Sequence, residues 1–112
     1  MKKIVLDTSF ILTAVRQKID FFSWLEHEGF KILVPEGVLK ELDGLGAKLA
    51  LNLLKRNKFE TLDLPGKTVD STIITYSKKN PSVVIATLDA GMKKKIKNPI
   101  LLIRQRKKLE IL

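Results

Sequence analysis

Two short apolar runs, residues 4–6 (Ile-Val-Leu) and 83–86 (Val-Val-Ile-Ala), each lead to an aspartate, Asp7 directly and Asp89 after Thr87-Leu88. Runs this short, rich in β-branched residues and without polar alternation, read as strands buried on both faces. Such a strand needs helices on either side of its sheet. The intervening segments, with apolar residues at helical spacing, supply them. Strands alternating with helices imply an α/β sandwich with a mainly parallel central sheet. In sheets of that kind, sites form beyond the carboxyl ends of the strands, where the strand order reverses.

The remaining elements follow from the same pattern. Thr8 or Ser9 is expected to cap a helix over 10–15, and Asp20 a second one in which Phe21, Phe22, Trp24 and Leu25 make one stripe, ended by Gly29. A strand over 30–34 leads into a helix opened by Pro35-Glu36 and broken at Gly44 and Gly46. Leu49, Ala50, Leu53 and Leu54 then repeat at helical spacing. A strand over 59–64, closed by Pro65-Gly66, precedes a helix capped by Thr68 and stopped at Asn80-Pro81. A basic helix over about 91–97, a strand over 100–103 and an edge strand over 109–112 complete the chain. With no repeat or linker, residues 1–112 read as one domain.

This reading puts four carboxylates where they can converge: Asp7 and Asp89 at strand tips, Asp70 in a helix first turn, and Glu41 on the helix after the second strand. Taken singly, each has an ordinary explanation as a cap or a solvated helix residue. Together they repel one another, and a cluster of that kind implies a bound cation. Oxygen-only ligands select Mg²⁺ or Mn²⁺. The chemistry that follows is metal-assisted phosphodiester hydrolysis, which needs no histidine. His27, the one histidine, lies between Glu26 and Glu28 on a solvated helix face. No Gly-rich loop follows the first strand, which argues against a nucleotide-binding protein.

Asp7-Thr8-Ser9 after the first strand, Val38-Leu39-Lys40-Glu41-Leu42 after the second, Val69-Asp70-Ser71 opening a helix and Ala86-Thr87-Leu88-Asp89 after the fourth resemble, in order and spacing, the PIN-domain nucleases over essentially the whole chain. The resemblance implies a three-layer α/β/α sandwich and a Mg²⁺- or Mn²⁺-dependent endoribonuclease that cleaves single-stranded RNA. It assigns Asp7, Glu41, Asp70 and Asp89 as metal ligands or water-activating acids, and Thr8 and Thr87 as supporting hydroxyls. Two positions depart from the pattern. Ser71 stands where a second acid is common, and Ala90-Gly91 follow Asp89 where polar residues are common. Both departures bear on metal affinity and stoichiometry.

Charge points to the same class of partner. Lys plus Arg number 21 against 12 Asp plus Glu, a formal net charge of +9, which favours polyanions. Much of the excess is C-terminal. Lys93, Lys94, Lys95, Arg104, Arg106 and Lys107 are the candidate phosphate contacts, against a solvated helix face as the plain explanation. The C-terminal basic stretch resembles archaeal PIN proteins related to ribosomal-RNA-processing nucleases, whereas VapC-type toxins share the same acids. The resemblance therefore implies either an rRNA precursor with a ribosome-assembly partner or a toxin with an antitoxin. An RNA-binding subunit with weak or no catalysis is the reading of a different class. A homodimer is a further expectation, and the Trp24 stripe reads as core or dimer face. The chain has no cysteine and no apolar run long enough for a signal peptide or membrane helix, which points to the cytoplasm.

Overall fold

A computed structural model of the chain describes residues 2–64 and 66–112, and of Arg106 the backbone alone. The turn expected at Pro65 and the phosphate contact expected of the Arg106 side chain lie outside the described residues.

The apolar runs pair into one six-stranded sheet. Its strands are β1 (Lys2–Leu6), β2 (Phe30–Pro35), β3 (Glu60–Leu62), β4 (Val84–Ala86), β5 (Ile100–Arg104) and β6 (Lys108–Ile111). The spatial order is β3-β2-β1-β4-β5-β6. All pairs are parallel except β5 with β6, which meet as an antiparallel hairpin. The chain leaves β1 toward β2 on one side and returns to β4 on the other, so the strand order reverses between β1 and β4. Leu6 pairs with Ala86 across that boundary, and the Asp7 amide donates to the Ala86 carbonyl at 2.9 Å. The two tips therefore end level with each other.

Helices cover both faces, as the continuous burial of the central strands requires. On one face Ile4, Leu6, Ile32, Val34, Val84 and Ala86 pack with the apolar sides of α1 (Thr8–Arg16), α2 (Phe21–His27), α3 (Glu36–Gly44) and α4 (Lys48–Lys55). On the other, Val5, Leu33 and Ile85 pack with Ile73 of α5 (Val69–Lys79) and Met92 of α6 (Ala90–Lys95). The result is the expected three-layer arrangement. Ile4, Val5 and Leu6 are fully buried, so truncating Ile4 or Leu6 to alanine costs about 2–5 kcal/mol.

Several boundaries differ from the sequence reading, each for a local reason. Asp7 occupies the N-cap of α1 and Thr8 is its first helical residue. Strand β3 keeps only three residues, because it pairs with β2 alone, from Leu33 to Pro35. Helix α6 stops at Lys95, since Ile96 turns to extended backbone and buries its side chain in the second core. Close approach joins α3 to α5: a Cβ on Gly37 would lie 2.8 Å from Val69 Cγ2. That contact sets the helix carrying Glu41 beside the one carrying Asp70. Among the described residues no helix is long and apolar enough to cross a membrane.

Candidate functional site: an acidic cleft at the strand tips

Asp7 anchors the site. It is 4% exposed, and a carboxylate that far from water is costly unless hydrogen-bonded. Its Oδ2 accepts from Thr87 Oγ1 at 2.8 Å and from Ser9 Oγ at 3.0 Å. Thr87, fully buried after β4, also accepts from the Asp89 amide at 3.2 Å. Ser9 accepts from the Leu88 amide at 3.0 Å. Two hydroxyls thus fasten the end of β1 to the loop after β4.

The other acids are held from separate elements. Thr8 Oγ1 donates to Glu41 Oε1 at 2.6 Å, tying the start of α1 to α3. Asp89 caps α6, its Oδ1 accepting from the Met92 amide at 3.1 Å. In Asp7, Glu41 and Asp89 alike, one carboxylate oxygen is occupied while, among the described residues, the other accepts no side-chain or capping hydrogen bond. No described buried side-chain oxygen or nitrogen lacks a partner, so the second oxygen of Asp7 opens to solvent. Asp70, exposed in the first turn of α5, carries no such bond among the described residues.

Electrostatics puts Asp70 within reach of the other three acids. The Asp70 carboxyl is raised above its ordinary value of 3.8, first by partial burial and then by the negative charges of Asp7, Asp89 and Glu41, with Lys95 opposing. Asp70 therefore feels all three of the other predicted acids. Among the described residues no group of three His, Cys, Asp or Glu side chains stands close enough to hold a metal ion as placed. The donor set fits a hard divalent cation by its chemistry: oxygen donors only, like charges that need neutralising, and three acids each with an oxygen to spare.

The predicted hydroxyls and bases divide. Thr8 donates to Glu41 and Thr87 to Asp7. Ser9 was left out of the predicted site, although it follows Asp7-Thr8 directly. Its part rests on hydrogen bonds to residues about eighty positions away, which local spacing does not reveal. Ser71 turns away: with Thr68 it forms a capping box at the start of α5. Lys95 reaches the cleft electrostatically. Lys93 and Lys94 share its helix turn. Arg104 is engaged with Glu110, Nε to Oε2 at 2.8 Å, and Lys107 ends the turn between β5 and β6. His27 is exposed in the last turn of α2.

A mainly parallel sheet with acids from four elements disposed around the point where the strand order reverses defines an α/β protein with a candidate acidic site at its topological switch point. Comparison with known proteins makes this specific. The family described as "PIN like domain" matches residues 4–108. Ribonuclease VapC4 of Methanocaldococcus jannaschii is 32% identical over 127 aligned positions, covering 99% of this chain and 97% of its own. The rRNA-processing protein fcf1 of Schizosaccharomyces pombe is 30% identical over 101 positions, covering 84% of this chain, which spans only 53% of the yeast protein. The structure of the PIN domain endonuclease Utp24 superposes with a TM-score of 0.83 at 28% identity, over 98% of this chain and 92% of its own. The chain belongs to the PIN domain family.

Proposed function

We propose that the chain is an endoribonuclease that hydrolyses single-stranded RNA at the acidic cleft, with Asp7, Glu41, Asp70 and Asp89 as its acids, and that it acts in ribosomal-RNA processing. The observation that carries this reading is the influence of Asp7, Asp89 and Glu41 on the Asp70 carboxyl, in a family with a relative named as a ribonuclease. Asp7, Glu41, Asp70 and Asp89 would hold Mg²⁺ or Mn²⁺, which when bound supplies charge neutralisation at phosphate and activation of water.

The chain's own residues do the rest. The Thr87 and Ser9 hydroxyls fix Asp7 through one oxygen and leave the other to the cleft. Thr8 fixes Glu41 in the same way. Such preorganisation leaves little carboxylate motion to be lost when substrate binds. Lys93, Lys94, Lys95, Arg104, Arg106 and Lys107 are proposed to meet the RNA backbone, a contact without sequence preference.

A toxin role is the second reading, with an antitoxin as partner in place of a ribosome-assembly factor. The end-to-end match to ribonuclease VapC4, over 97% of that protein, favours it. The decisive first experiment is cleavage of labelled single-stranded RNA with Mn²⁺, Mg²⁺ or EDTA, wild type beside Asp7→Asn. Metal-dependent cleavage lost in the variant is expected. Equal inactivity of both across varied RNAs and metals would overturn the nuclease reading in favour of a non-catalytic RNA-binding subunit. Growth arrest on expression, relieved by a co-expressed binding partner, would decide for the toxin.

A further inference from the structure

On the face of the molecule formed by α2 and the β5–β6 hairpin lies a recess of about 540 Å³ that shares no residue with the acidic cleft. That volume lies within the range of small-ligand sites, about 300–1,000 Å³. Lys18, Lys107 and Lys108 stand at it, all exposed, and Trp24 and Leu109 contribute its half-buried apolar wall. Asp20 is its one acid, and that carboxylate is committed to capping α2, accepting from the Ser23 amide at 3.2 Å and the Ser23 hydroxyl at 2.8 Å. The recess is therefore cationic with an aromatic wall.

The backbone adds an independent observation. Among the described residues, the non-glycine positions with positive φ are Lys18, at 59°, and Lys107, at 61°. Both line this recess. Lys18 closes α1 in a Schellman turn, with its amide on the Val15 carbonyl and that of Ile19 on the Ala14 carbonyl, a position where glycine is the usual and least strained choice. Lys107 ends the three-residue turn between β5 and β6. Lysine at both left-handed positions keeps a backbone cost that glycine would remove.

Helix α2 explains why Trp24 is available. Phe21, Phe22 and Leu25 are buried almost completely, with the Phe21 ring edge-on to Phe10 and stacked on Phe22. Those rings hold the helix down. Trp24, on its flank, packs only partly against the core and lines the recess.

We infer that this recess is a second contact site for single-stranded RNA, in which a base stacks on Trp24 while Lys18, Lys107 and Lys108 hold the adjoining phosphates. Stacking on aromatic rings beside a basic track is how unpaired nucleotides are held without sequence preference. The inference takes its ligand class from the nuclease reading and otherwise stands on the recess itself.

Trp24 is the only tryptophan, so its fluorescence reports the contact without any substitution. Titration of the full-length protein with a single-stranded RNA oligomer in EDTA should quench that fluorescence saturably, with an abasic oligomer of equal length binding but not quenching. The variant carrying Lys18→Asn, Lys107→Asn and Lys108→Gln keeps residues that tolerate the left-handed backbone. It should bind at least tenfold more weakly at low salt, with a log–log salt slope shallower by about 2, from about 0.7 per phosphate contact. RNA that binds, by anisotropy, without moving the tryptophan signal overturns the proposal and leaves the recess to a protein segment. Metal-dependent cleavage with no quench would sink this site alone. A lysine-dependent quench with no cleavage under any metal would sustain it and sink the nuclease reading.

Discussion

The Thr87 hydroxyl touches both Asp7 and the Asp89 amide, so one oxygen couples two acids from separate strand tips. Thr87→Val keeps the shape and deletes the hydroxyl. A buried carboxylate that loses a donor costs about 1.5–3 kcal/mol. Thr87→Val should lower Tm and cut turnover at least tenfold with KM little changed, and Thr87→Ser should restore both. Asp70 allows a test with a sign. Its carboxyl is raised in the folded protein by partial burial and by Asp7, Asp89 and Glu41. A raised acid binds its proton more tightly folded than unfolded. Its contribution to stability is therefore full below its ordinary value of 3.8 and is lost as pH rises through the folded value. At neutral pH the ionised side chain opposes folding, so Asp70→Asn should raise Tm there in metal-free buffer and leave it unchanged below about pH 3.5. Unfolding measured against pH checks this; a lower Tm for the variant at pH 7 would contradict it. Motif order was enough to single out the four acids as a set. Which acid each supporting hydroxyl holds was not legible, because Thr8 reaches Glu41 across 33 positions and Thr87 reaches Asp7 across 80.

Among the elements, α5 separates stability from chemistry. Ser71 stands where a second acid was the alternative, yet its hydroxyl accepts from the Thr68 amide at 3.3 Å and donates to the Thr68 carbonyl at 3.1 Å. The Ser71 amide in turn donates to Thr68 Oγ1 at 3.1 Å. Ser71→Ala and Thr68→Ala should each cost about 1 kcal/mol, the usual price of a lost cap, seen as a lower denaturation midpoint. Ser71→Ala should leave cleavage within about twofold of wild type. A hundredfold loss with the fold intact would instead make Ser71 part of the site. The elements were legible wherever local chemistry decided them: the Thr68 cap, the buried runs of β1 and β4, the Gly44–Gly46 break. They were less so where packing decided, as at Ile96, whose burial ends α6 early. The β5–β6 hairpin turns on a lysine at positive φ, a conformation that side-chain pattern does not announce.

At the scale of the whole molecule two fields oppose each other. The chain carries a net charge of +9 and draws polyanions from a distance, while four carboxylates at the strand tips repel phosphate at contact. Over more than a Debye length, about 8 Å at physiological salt, the basic surface decides whether RNA arrives; inside the cleft the acids decide whether it can settle. Removing one acid should therefore strengthen RNA binding when no divalent cation is present. A cation shared by acids and phosphate should erase that advantage. The expected outcome, by anisotropy at matched ionic strength, is that Asp7→Asn binds single-stranded RNA more tightly than wild type in EDTA. With a non-cleaving Ca²⁺ buffer in place of EDTA, wild type should match or exceed the variant. If the variant binds more weakly under both conditions, Asp7 contacts RNA directly and the cleft is not a repulsive site awaiting a cation. If the two proteins bind equally in both, RNA never enters the cleft, and the acids have some other substrate.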